Sequence, residues 1–145
     1  MSIEKTINEL LVELFHEIIG IEEKTIRKNK KFSKMTTNDM HVIEAIGPDE
    51  PKTMSTVAKT LNVTLGTLTI SVNSLVKKGY VNRVRSEKDR RVVLVSLTKE
   101  GMQAYRHHQK FHDEMIQSVI ETLEDDEREV LHRALDKLNQ FFKEQ

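Results

Sequence analysis

The 145-residue chain carries 23 basic and 23 acidic side chains, six histidines and no cysteine. That length suits one domain with a packed core, or a compact head on helical arms, and the missing thiols exclude disulfides, cysteine-based zinc sites and thiol catalysis. No apolar run approaches the roughly 18 residues of a membrane span, so a soluble cytoplasmic protein with no membrane partner is expected.

The zero net charge conceals a separation. Between Lys52 and Leu94 stand nine basic residues (Lys52, Lys59, Lys77, Lys78, Arg83, Arg85, Lys88, Arg90 and Arg91) against two acidic ones, Glu87 and Asp89, leaving fourteen against twenty-one elsewhere. A basic footprint on an acidic body attracts phosphate where it is wanted and repels it elsewhere.

From Ile3 to about Lys28, apolar residues recur at three- and four-residue steps, the pattern of a long amphipathic helix. Lys24 to Lys34 is a basic connection, read as a solvated turn. Thr36 or Thr37 caps a second helix through Ile46, which Gly47, Pro48 and Pro51 bring to an end.

Thr53 caps a short helix ending near Leu61, and Asn62-Val63 turn into another, capped by Thr64 and running to Lys78 before Gly79. Its inward face carries Leu65, Leu68, Val72, Leu75 and Val76. Its outward face carries Gly66, Thr67, Ile70, Asn73, Ser74 and Lys77. A solvated face in so charged a protein would carry Glu and Lys, whereas this one is small, uncharged and hydrogen-bonding. That is what a DNA major groove accepts, with Ile70 on a thymine methyl or sugar edge and Asn73 on adenine.

Tyr80 to Val84 and Val92 to Leu97 read as strands around the charged tip Arg85 to Arg91. The whole is a winged helix-turn-helix, mainly α with one small β-hairpin. A basic wing tip suits a narrow, negative minor groove, and Asp89 stands where it can hold the guanidinium of Arg91 through paired hydrogen bonds. Two more helices follow, one capped by Thr98 and one from about Asp125, each with an apolar stripe. Their surplus apolar surface implies a partner subunit.

No enzyme motif is present. G-x-G-x-x-G, Walker-type, G-x-S-x-G and H-E-x-x-H patterns are all missing, and the five glycines stand singly. His108 and His112 lie one helical turn apart on an inward stripe. With His41 and Glu22 or Glu23 they have spacing that suits a zinc ion, and they serve equally as hydrogen-bonded structure or as groups titrating near neutral pH.

The run DRRVVLVSLTKEG, Asp89 to Gly101, resembles the wing signature of the MarR family of transcriptional regulators, with Asp89, Arg91, Leu97, Thr98 and Gly101 in place. The resemblance extends over the chain and implies a homodimer on a pseudo-palindromic, double-stranded operator. Residues 1–34 and 99–145 would supply the dimerisation helices and 35–98 the DNA-binding region of a single domain. It also implies that Arg91 contacts DNA with Asp89 supporting it. On the combined reading, Thr64, Gly66, Thr67, Ile70, Asn73 and Ser74 enter the major groove, Arg90 and Arg91 serve the minor groove, and Lys77, Arg85 and Lys88 meet the backbone.

Val63 to Val93, with NDMHVIEAIG and KFHDEM, is similar to the FabT-type repressors of fatty acid biosynthesis genes within that family. Such a resemblance implies no resident cofactor, and long-chain acyl-acyl carrier protein as corepressor, its acyl chain entering an apolar cavity. The apolar stripes offer Phe15, Ile18, Ile19, Met40, Ile43, Tyr105 and Met115 as lining. The histidine arrangement is in turn similar to the zinc-sensing branch of the family, for which Glu23, His41, His108 and His112 would be the ligands.

Overall fold

The computed structural model describes residues 2–145. In chain order the elements are α1 (Ile3–Lys28), α2 (Thr37–Ile46), β1 (Lys52–Thr53), α3 (Met54–Leu61), α4 (Leu65–Lys77), β2 (Val81–Arg85), β3 (Val93–Leu97), α5 (Lys99–Glu121) and α6 (Asp125–Lys143). The chain packs as two compact units, one ending at Gln109 and the other comprising Lys110–Gln145. Among the described residues, no helix is long and apolar enough to cross a membrane.

Threonine hydroxyls start four of the helices. Each accepts the backbone N–H three residues on: Thr36 from Asp39 at 3.0 Å, Thr53 from Thr56 at 3.0 Å, Thr64 from Thr67 at 3.1 Å and Thr98 from Gly101 at 3.0 Å. These bonds satisfy amides that a helix's first turn leaves without partners, each stabilising by about 1 kcal/mol. At α2 the cap is reciprocal, since Asp39 Oδ2 accepts from the Thr36 N–H at 3.0 Å. The same carboxylate oxygen receives Lys78 Nζ at 2.8 Å, tying the start of α2 to the end of α4.

Between α3 and α4, Asn62 adopts the left-handed conformation at φ 55°, and the Val63 N–H donates back to the Ala58 carbonyl at 3.0 Å. The turn is therefore tight and fixed. Helix α4 stops one residue earlier than the sequence suggests, with Lys78 as its cap. Gly79, at φ 86°, sends its N–H to the Val76 carbonyl at 3.1 Å, and Tyr80 sends its own to Leu75 at 2.9 Å. This glycine-dependent closing pattern occupies the Tyr80 amide, so β2 begins at Val81 rather than at Tyr80.

The three strands form an antiparallel sheet in the order β1-β3-β2, with Val81 opposite Leu97 and Arg85 opposite Val93. Strand β1, which pairs Lys52 with Val95 and Thr53 with Leu94, was not visible in the sequence pattern because two residues carry no periodicity. The core beneath the sheet gathers Met40, Ile43 and Ile46 of α2, Val57 of α3, Leu68, Val72 and Leu75 of α4, Val95 of β3 and Ala104 of α5. Five helical and strand segments thus converge on one apolar centre, which sets the angle between α4 and the wing.

Helix α1 leaves its stripe uncovered: Ile3, Ile7, Leu10, Leu11, Leu14, Phe15 and Ile18 are all exposed. In the second unit, Glu127 accepts the Glu124 N–H at 2.9 Å and Arg128 Nε donates to the Ile120 carbonyl at 2.9 Å, which fixes the turn into α6. Val130, Leu131, Leu135, Leu138, Phe141 and Phe142 of α6 are likewise exposed.

The wing's base is fastened to the start of α5. The Thr98 N–H donates to the Tyr80 carbonyl at 3.0 Å, and its hydroxyl donates to that of Gly79 at 2.6 Å. Gly101 is required there because a Cβ would sit 2.1 Å from the Tyr80 carbonyl oxygen and 3.2 Å from Leu97 Cβ. Gly101→Ala is expected to lower unfolding stability in urea by about 1–3 kcal/mol, the cost of overpacking a site that cannot give way. Thr98→Ala should cost about 1 kcal/mol in the same assay.

Candidate nucleic-acid interface

Helix α4 buries Leu68, Val72 and Leu75 and exposes Gly66, Thr67, Ile70, Asn73 and Lys77, while Ser74 is half-buried. Ile70 is 73% exposed, an apolar side chain with nothing of its own chain over it. Leu65, expected inward from the wheel, is instead 51% exposed. It is the first residue of the helix, and the core begins one turn later. Gly66 stands in open space, so packing within the chain does not require its lack of a side chain. Thr64 spends its hydroxyl on the cap and on Thr67 Oγ1, to which it donates at 2.9 Å. That leaves the Thr67 proton available to an acceptor beyond the helix.

The wing tip is braced at several points. Arg91 donates to Asp89 Oδ1 from its backbone N–H at 3.0 Å and from Nε at 3.1 Å, and to Oδ2 from Nη2 at 3.2 Å. The Arg91 side chain is nevertheless 91% exposed, held in direction but open to solvent. The side-chain hydrogen bonds from Arg91, and then its backbone N–H, hold the Asp89 carboxyl below the usual carboxylate range. Arg85 Nη1 donates to the Arg90 carbonyl at 2.8 Å, and the Ser86 N–H donates to that of Val92 at 2.8 Å, closing the hairpin. Lys88 and Arg90 remain exposed beside it.

Between α3, α4 and the wing lies an open cleft of about 720 Å³, lined among others by Leu65, Thr69, Arg83, Arg85 and Arg91. Arg83 of this lining, to which the sequence pattern assigned no site role, donates from Nη1 to Asn73 Oδ1 on α4. Two members of the basic run face elsewhere. Lys52 Nζ donates to the Ala45 carbonyl at 3.1 Å, and Lys78 is bound to Asp39. The rest of the run leaves a positive, hydrogen-bonding surface formed by one helix face and one hairpin tip.

Residues 24–108 match the family model of the transcriptional regulators SarA/Rot. The solved structure of Streptococcus pneumoniae FabT in complex with DNA is 41% identical, with a TM-score of 0.94, covering 97% of this chain and 98% of that one. The chain belongs to the MarR family of winged-helix transcriptional regulators. Among curated relatives, the multiple antibiotic resistance protein MarR of Salmonella typhimurium is 28% identical over 138 residues, covering 87% of this chain and 95% of that protein. The regulator YhjH of Bacillus subtilis is 24% identical over 125 residues, covering 76% and 71%. This MarR-type chain is accordingly a regulator that binds DNA and not an enzyme.

Apart from the α4 and wing surface, this regulator holds a buried polar cluster. Glu22 of α1 is 4% exposed and His108 of α5 is 3% exposed. Glu22 Oε1 lies 3.3 Å from His41 Nε2 and 3.6 Å from His108 Nε2, yet among the described residues it accepts no hydrogen bond of sound geometry. Glu44 Oε2 approaches His108 Nε2 from the other side at 3.2 Å. Glu23, named with the histidines from sequence, is not part of this group. One position along α1 turns it outward, where it pairs with Arg27 at 3.6 Å. His112 lies one turn beyond His108 on α5.

The residues expected to line an acyl cavity differ in burial. Met40 and Ile43 are fully buried in the core, Ile19, Tyr105 and Met115 are half-buried, and Phe15 and Ile18 are exposed. The cleft beside the wing is lined by none of them. Met40 and Ile43 face the packed centre because α2 is surrounded by α3, α4 and β3.

The Asp89–Arg91 pairing has a measurable pH signature. Since the folded carboxyl titrates below its unfolded value, the pairing is intact above the ordinary Asp range and is lost only as pH falls through the lowered value. A ¹³C NMR titration of the Asp89 carboxyl should show that depressed midpoint. In Arg91→Ala the midpoint should return toward the ordinary value.

Proposed function

We propose that this protein is a homodimeric repressor of fatty acid biosynthesis genes whose corepressor is long-chain acyl-acyl carrier protein. The observation that carries the reading is the end-to-end similarity to DNA-bound FabT, which includes α1, α5 and α6 and is not confined to the DNA-binding head. The exposed stripes of α1 and α6 supply the apolar surface that a second copy would cover. In this reading residues 1–34 and 99–145 serve dimerisation and 35–98 serve DNA.

Each half-site would receive Thr64, Gly66, Thr67, Ile70, Asn73 and Ser74 in the major groove. Arg90 and Arg91 would reach the minor groove, with Lys77, Arg85 and Lys88 on phosphates. The half-sites would lie about one helical turn apart, as a two-fold dimer on one DNA face requires. Arg91→Ala is expected to weaken operator binding by about 1–3 kcal/mol at fixed salt, while Asp89→Asn should weaken it less by loosening the same guanidinium.

Fluorescence anisotropy of a labelled fatty-acid-gene promoter duplex tests the reading. Binding should tighten when acyl-acyl carrier protein is added, and remain unchanged with the unacylated carrier. Indifference to the acylated carrier would defeat the corepressor assignment.

A second reading draws on Glu22. A buried carboxylate oxygen without a hydrogen bond, set beside imidazoles, suits zinc, and Glu22 and His108 would be among its ligands. In that case zinc, and not the acylated carrier, would change the anisotropy midpoint. The response should vanish in Glu22→Gln and His108→Ala.

A further inference from the structure

The hydrogen bond between wing and recognition helix bears on which base is read. Asn73 is exposed on α4, and Arg83 is exposed on β2, opposite Val95 in the sheet register. A guanidinium has only donors, so the Asn73 atom that meets it must be the carbonyl oxygen, whichever way the amide would otherwise be turned. The Asn73 amino group then points away from Arg83. Together the pair presents N–H groups outward, from the carboxamide nitrogen and from the remaining guanidinium positions.

We propose that Arg83 is a specificity-determining residue: by holding the oxygen of Asn73 it turns an amide suited to adenine into part of a donor surface that selects guanine. A free Asn pairs with adenine by accepting from N6 and donating to N7. Guanine offers two acceptors, N7 and O6, and answers a surface made of donors. Arg83 also lines the cleft beside the wing, together with Leu65 and Thr69 of α4. The inference rests on DNA reading by α4 and is independent of which genes or effectors are involved.

The test is selection of binding sites from a randomised duplex pool by the wild-type protein and by Arg83→Ala, Arg83→Lys and Asn73→Ala. Melting temperatures of the free proteins verify that each variant is folded. The wild type should select guanine at one position per half-site, and 7-deazaguanine there should weaken binding by about tenfold, the scale of one base contact. Arg83→Ala should shift that position toward adenine, Asn73→Ala should leave it without preference, and Arg83→Lys should retain guanine.

Two results would overturn the proposal. One is an Arg83→Ala profile identical to wild type with equal loss of affinity on every sequence, which would make Arg83 a phosphate contact. The other is adenine selected by the wild type at the position that Asn73→Ala relaxes. A failed response to the acylated carrier in the anisotropy assay would leave these base profiles unaffected, so the two readings fail separately.

Discussion

The structure depends on one crossing of the chain, where Gly79 and Tyr80 pass over Thr98 and Gly101. Thr98 bonds to both carbonyls above it while its hydroxyl caps α5, and the bare Cα of Gly101 allows the two backbones to touch. Four things meet there: the end of α4, the root of β2, the end of β3 and the first turn of α5. The recognition helix and the wing therefore share one anchor, and their spacing does not depend on the exposed residues that would meet DNA. The tip is stiffened separately, by Asp89 on Arg91 and by Arg85 on the Arg90 carbonyl. Such bracing lowers the conformational entropy lost when an Arg is brought to a groove.

Much of this arrangement was legible in the residues, because its signals are local. Caps at Thr36, Thr53, Thr64 and Thr98, the left-handed Asn62 and the closing Gly79 each act within a few positions, and the elements follow them to within a residue. The errors arose where geometry is not local. Strand β1 exists only because β3 passes beside it. Leu65 was placed inward by a wheel that assumes the core extends along the whole helix, and Glu23 was set with the histidines in place of Glu22 because periodicity alone leaves one step of rotation open.

The charge pattern shows the same limit from another side. The surplus between Lys52 and Leu94 pointed correctly to a basic face, yet a long flexible side chain goes to the nearest acceptor, and sequence does not show where that acceptor is. Lys52 is drawn to the Ala45 carbonyl and Lys78 to Asp39, so both leave the face. Arg83, unremarkable in the sequence, lies against Asn73 because β2 runs alongside the outer edge of α4. The motif did carry Asp89 and Arg91, whose two-residue separation is enough to define their pairing.

Asp39 shows how two helices of the core share one group. Its carboxylate closes the reciprocal cap of α2 and at the same time grips Lys78 at the far end of α4. Helix α4 is thus tied at its tail to the first turn of α2. One carboxylate serves as the closing bond of one helix and the tether of another, at the end of α4 away from Gly66 and Thr67.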